Sequence, residues 1–179
     1  MVAWYMYMEA NEKAEILKAL ERGQEAFLDA VSAITEDLAT KSPGAGRWSV
    51  LECAEHVAIS EEFLFSQVTQ ATRSDVPLIN PEREAGILAR GADRTTAFAS
   101  PEVGRPAGRF STLADAVQHF LASRELTVRF VESCDEDLRS RLTAHPLLGP
   151  INCYEALLLM AVHPQRHAQQ IQEIKAALG

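Results

Sequence analysis

Apolar residues recur along the chain at three- and four-residue steps in four long segments, the spacing of amphipathic helices. The first segment runs from about Glu9 to Ala39, with Ile16, Leu17, Leu20, Phe27, Val31, Ile34 and Leu38 on one stripe. Ser42, Pro43 and Gly44 end it. The second follows Trp48 and runs to about Ala71. Ser49 and Glu52 form an S-x-x-E capping box at its start, and Trp48 ahead of the cap is placed to pack on Cys53. The third begins near Thr112, with Asp115 at its third position, and runs to about Glu132 along Leu113, Val117, Phe120, Leu121, Val128 and Val131. A short turn at Asp135 to Arg139 follows. The fourth runs from about Ile151 to Ala177, its stripe marked by Cys153, Leu157, Met160, Ile171, Ile174 and Leu178.

Residues 74–110 break the pattern and hold four of the eight prolines and four of the nine glycines. A short helix fits around Glu82 to Ala89. A connection of this length is usually functional or crosses the fold. With no convincing strand, the pattern predicts an all-α protein: one four-helix-bundle domain over residues 1–179. The short first link predicts antiparallel neighbours, and the long second link a crossover between parallel helices.

Composition narrows the partners. The 179 residues include 17 Lys and Arg against 25 Asp and Glu, a net charge of -8. No densely basic footprint is present for nucleic acid or an anionic membrane. The apolar runs, Ala156 to Val162 and Met1 to Met8, are far shorter than the ~20 residues of a spanning helix. Cys53, Cys134 and Cys153 are an odd, scattered set, which fits free thiols in a reducing, cytoplasmic setting.

The histidines carry the chemistry. His163 and His167 stand four residues apart and so share one helix face. That face is the apolar stripe, where an imidazole is costly unless its nitrogens find partners. A divalent cation bound by neutral imidazoles satisfies both. His56 lies between the apolar positions Cys53 and Phe63 of the second helix and can meet the pair across the core. His119 falls off its stripe and reads as peripheral. His145, before Pro146, reads as a surface or rim residue. Pro164 occupies the position where a zinc protease needs Glu. It leaves the Met160 carbonyl without its helical partner and can bend the helix so as to aim His163.

Other residues keep two readings each. Glu52 is explained by its cap but shares a face with His56, where it could support the imidazole or act as a base. Cys53 is a packed thiol or a soft ligand. Arg124, on an apolar stripe, pairs with a buried carboxylate or binds a substrate anion. Tyr154 packs as an aromatic or donates a proton at a pocket mouth. Arg166 and Gln170 either support the site or pack helices.

Trp48-Ser49-Val50-Leu51-Glu52-Cys53-Ala54-Glu55-His56 resembles the entry to the second helix of DinB-like proteins. His163-x-x-Arg166-His167-x-x-Gln170-Ile171 resembles their last helix, and Ser100-Pro101 to Thr112 and Phe120-x-x-x-Arg124 resemble the intervening loop and helix. The resemblance to the DinB/YfiT-like metalloenzyme superfamily covers nearly all the chain after about residue 10. It implies a bundle with a long crossover and a divalent metal, zinc or nickel, held by His56, His163 and His167. It also implies a homodimer, for which the apolar Met1 to Met8 segment offers contact surface. Its enzymes include thiol-dependent transferases, acting with low-molecular-weight thiols on small molecules, and hydrolases. A metal-dependent enzyme, a non-catalytic metal-binding or stress-related structural protein, and a plain bundle with vestigial histidines all remain open on these residues.

Overall fold

A computed structural model describes residue 8, residues 10–95 and residues 100–179. Its helices are α1 (Ala10–Val31), α2 (Glu36–Ala39), α3 (Val50–Thr69), α4 (Pro81–Arg90), α5 (Leu113–Ser133) and α6 (Cys153–Leu178). Three short strands, β1 (Thr72–Arg73), β2 (Arg141–His145) and β3 (Gly149–Asn152), form an antiparallel sheet in the order β1-β2-β3. Leu142 is its hub, facing Thr72 on one side and Asn152 on the other.

Helix starts follow local chemistry. Ser49 accepts from the Glu52 N–H while the Glu52 carboxylate accepts from the Ser49 N–H, the expected capping box. Thr112 accepts from the Asp115 N–H at 3.0 Å. Asn152 and Glu155 form a second capping box, which moves the start of α6 from the expected Ile151 to Cys153. Ile151 instead belongs to β3. The expected short helix is α4, with Asn80 as cap and Pro81 in its first turn, where the missing proline N–H has no helical acceptor anyway.

Two expectations need correction. The first helix does not continue to Ala39. It stops at Val31, and Thr35 caps the separate α2 by accepting from the Leu38 N–H. The apolar spacing persists through the break because Val31, Ile34 and Ala39 all enter one core. The first and second long helices, α1 and α3, are also not neighbours. α1 packs on α6 and α5, and α3 packs on α5 and α6, so α1 and α3 lie on a diagonal. With α1 ending early, the connection spans 32–49 and is long enough to cross the bundle. The sheet is a further feature that the sequence pattern did not predict; the protein remains a helical bundle.

Contacts fix the helix directions. Along α3 and α5, Glu61 meets Arg124 and Phe65 meets Phe130, so these two run parallel, as a crossover requires. His56 meets His163 and Val68 meets Cys153, so α3 and α6 are antiparallel. Phe27 meets Phe120 and Lys13 meets Asp135, so α1 and α5 are antiparallel. The four long helices therefore run up, down, down and up. α1 and α6 approach so closely at Gly23 that a Cβ there would stand 2.1 Å from the Ala161 oxygen.

The core has two apolar parts. One, toward the sheet, contains Ile16, Leu20, Val68, Val131, Leu157 and Met160. The other contains Phe27, Val50, Phe120, Ile171 and Ile174. Each such fully buried side chain contributes about 1.5–3 kcal/mol. Between them lies a polar layer that includes Glu61, Ser123, Arg124 and Thr127, all buried.

Candidate metal centre

α3 and α6 bring three imidazoles together. His56 Nε2 lies 3.0 Å from His163 Nε2, which lies 3.1 Å from His167 Nε2. The three candidate ligand atoms all fall within 4.8 Å of one another. His56 and His167 are buried, and His163 is partly exposed. The indole of Trp48 backs the group, 5.0 Å from the His56 ring and stacked at 6.4 Å on His167.

The outer nitrogens decide what the inner ones can do. His56 Nδ1 bonds to the Gly104 carbonyl, a pure acceptor, so Nδ1 carries the proton. His167 Nδ1 lies 2.9 Å from Gln170 Oε1. That oxygen also accepts from Arg94 at 3.1 Å, which fixes the amide orientation and makes His167 Nδ1 a donor. Both Nε2 atoms then present lone pairs to His163 Nε2, which can donate to only one of them. Protonation is opposed: burial holds His56 below its ordinary 6.5. Burial, then the neighbouring positive groups, hold His163 and His167 well below that value. Neutral imidazoles with converging lone pairs and anchored outer nitrogens are a donor set that fits a divalent cation.

The crossover is shaped for this anchoring. A Cβ on Gly104 would sit 3.1 Å from Ser100 Oγ and 3.2 Å from the His56 ring, tighter than most such contacts. Glycine lets the loop backbone reach the imidazole.

The centre opens into a pocket of about 460 Å³. Its walls come from the α2–α3 link (Arg47, Trp48), α3 (Ser60, Phe63, Leu64), the crossover (Arg94, Ser100, Pro101, Val103, Gly104), the β2–β3 turn (His145, Pro146, Leu147) and α6. Access thus lies where the crossover meets the β2–β3 turn and the second half of α6, not at the α6 entry, and His145 is a rim residue, one of its two expected places. Phe63, Leu64 and Leu147 supply apolar surface, while Arg47, Arg94 and Arg166 supply guanidinium groups, that of Arg94 paired with Glu173 at 2.8 and 2.9 Å. Among the described residues no Asp or Glu lines the pocket.

Of the remaining candidates, Arg166 and Gln170 line the pocket, and Arg166 also bonds to the Asp93 carbonyl. Glu52 does not reach it, because its carboxylate is held 2.7 Å from the Ser49 N–H. Cys53 is buried outside the wall, its thiol pushed up to about 12 by burial. Arg124 pairs with Glu61 in the core, the carboxylate alternative rather than the substrate one. Tyr154 is not at the pocket mouth; it is buried beneath the Arg139 guanidinium, 4.0 Å from its ring centroid. His119 is peripheral, bonded to Glu62 at 2.9 Å. Among the described residues no fourth His, Cys, Asp or Glu joins the three histidines. Residues 1–7, the body of the expected contact segment, lie outside the described residues, and Met8 is buried in the protein's own core.

Sequence reasoning missed Arg94 and Gly104. Both lie in the irregular crossover, where no periodicity singles out a position.

Fold and site together define a four-helix bundle carrying a three-histidine cluster between two antiparallel helices. The DinB superfamily model matches residues 19–171, and the chain belongs to that superfamily. The structure is similar to YfiT from Bacillus subtilis, described as a probable metal-dependent hydrolase with an unusual four-helix bundle topology. The TM-score is 0.60 and the identity 16%, over 96% of this chain and 90% of that one. It is also similar to TT2238, a four-helix bundle protein, with a TM-score of 0.59 and 18% identity over 90% of this chain and 98% of the other. No curated protein matches the sequence.

Proposed function

We propose that this protein is a divalent-metal-dependent enzyme, with His56, His163 and His167 as the ligands and zinc or nickel as the ion. It transfers a nucleophile, a low-molecular-weight thiol or water, to a small electrophilic substrate, and so acts as an S-transferase or a hydrolase. The observation that carries the reading is the convergence of three neutral imidazoles at the edge of a pocket, with no fourth protein ligand among the described residues. A three-ligand set that leaves a position open is the mark of a catalytic rather than a structural site. When bound, the ion supplies Lewis acidity, lowering the pKa of the thiol or water that reaches it.

The chain's own residues set the rest. Gly104 and Gln170 orient two imidazoles and fix their tautomers. Trp48 covers the rings and limits water on that side. Arg47, Arg94 and Arg166 line the pocket, with Arg94 paired to Glu173, and guanidinium donors on its wall support an anionic small substrate. The lack of a carboxylate on the described wall favours the thiol, because water attack generally needs a positioned base. It also supports the second reading, a metal-binding protein without turnover. A cytoplasmic setting, supported by three free cysteines, and a homodimer belong to the same proposal.

Metal analysis of protein purified without chelator or nickel resin tests the centre. Zinc- and nickel-loaded protein offered a thiol and a panel of anionic and neutral electrophiles tests the reaction. Turnover lost in His163→Ala is the expected result. Rates equal to those of that variant leave the binding-protein reading.

A further inference from the structure

Pro164 has no N–H, so the Met160 carbonyl one turn earlier lacks its partner within α6. A buried carbonyl left unpaired is costly. This one is taken by α5: Arg124 Nη2 donates to it at 2.8 Å. The same guanidinium donates to both Glu61 oxygens at 2.8 and 2.9 Å, and to the Leu20 carbonyl at 2.8 Å. Thr127 completes the cluster by donating to Glu61 at 3.0 Å. The side chains of Arg124 and Glu61 are 1% and 2% exposed.

Stability alone does not account for such a cluster. A buried ion pair is often no more stabilising than apolar residues of the same volume. What apolar residues cannot do is hold a carbonyl in place. Arg124 joins Glu61, five residues after His56 on α3, to Met160, three residues before His163 on α6. It bridges the two helices that carry the histidines, at the turn from which His163 projects.

We propose that Arg124 is a positioning residue for the three-histidine centre. By holding the carbonyl that Pro164 releases, it sets the α6 turn and the α3–α6 spacing that bring His163 Nε2 onto His56 and His167. The proposal rests on the reading that the three histidines bind a divalent ion.

The test pairs Glu61→Leu with Arg124→Met, so that no charge is buried alone, and adds Pro164→Ala to return an N–H to Met160. Cobalt(II) affinity is measured by competition with a chromophoric chelator, together with the cobalt ligand-field absorption and unfolding by denaturant. The folded double variant is expected to bind cobalt about tenfold or more weakly, with altered bands, in the range of lost outer-shell support. Pro164→Ala is expected to restore part of the affinity. Wild-type affinity and bands in the double variant, or a loss that Pro164→Ala leaves untouched, overturn the proposal. If the apolar pair does not fold, Arg124→Lys carries the test. Its single ammonium keeps the charge but lacks the fork, so weaker cobalt binding supports the role and unchanged binding overturns it. A wild-type chain that binds no cobalt overturns the metal reading as well, whereas variants that bind as wild type does remove the role of Arg124 alone.

Discussion

Two buried polar clusters grip α6 within two turns of each other, and they differ in how their bonding is completed. Around Arg124, donors meet acceptors: two carboxylate oxygens and two carbonyls take its N–H groups, and Thr127 joins Glu61. Around the histidines only the outer bonds of His56 and His167 are made. Gly104 and Gln170 hold outer nitrogens, while the inner nitrogens face one another with one proton too few to join all three. The first cluster is enclosed by α1, α3, α5 and α6. The second is walled on one side by loops. A finished network braces a fold; an unfinished one with anchored donors waits for a ligand.

The largest effect should come from breaking the finished cluster. Arg124→Met alone leaves the Glu61 carboxylate buried without its partner, and a loss of about 3–5 kcal/mol is expected in urea unfolding. A loss below ~1 kcal/mol would show that water reaches Glu61 and that the enclosure is illusory. Next comes the open cluster. A metal that binds only the folded state should stabilise by about 2.7 kcal/mol at a hundredfold excess over its dissociation constant. Chelator or His167→Ala should abolish that gain, and melting curves indifferent to both would make the two clusters alike.

Smaller effects sharpen the contrast. Gln170→Leu removes the acceptor of the His167 Nδ1–H, and metal affinity should fall about tenfold, with about 1–3 kcal/mol lost from metal-free stability. Equal affinities in a zinc competition assay would detach Gln170 from the site. The smallest effect concerns pH in the metal-free protein. The folded histidines have pKa values below 6.5, so the unfolded chain takes up protons first as pH falls through that value. Stability from this source is full above about pH 6.5 and is lost as pH falls toward the folded values. Melting temperatures between pH 7.5 and 5 in chelator should drop less steeply for His163→Ala than for the wild type. Parallel slopes would show that these imidazoles already titrate freely when folded.

What could be read from the sequence was what local rules encode. The i, i+4 spacing of His163 and His167, the cap at Ser49 and the orphaned Met160 carbonyl follow from helix geometry alone. His56 was reachable because it interrupts an apolar stripe. The sheet was not legible, since β1 pairs with β2 across some seventy residues and each strand is short. The diagonal placement of α1 and α3 was hidden by apolar residues that continue across the Thr35 cap. Of the two readings of Tyr154, packing holds, but nothing local shows that Arg139 is what covers its ring. The acceptor for His56 is a backbone carbonyl in an irregular segment, and a carbonyl has no sequence signature.

The parallel packing of α1 on α6 also bears on how the chain is made. Their contacts join residues near 20 to residues near 160, so the first long helix finds its main partner only after more than a hundred further residues have been synthesised. Helical bundles usually fold fast because their contacts are local. Here α1 leaves the ribosome with an apolar stripe and waits for translation of the other described helices. Two of the three histidines arrive in that last helix, so the ion cannot serve as an early nucleus. The structure therefore implies that the bundle closes only once α6 has emerged and docked, and that the stripe of α1 lacks its main partner until then.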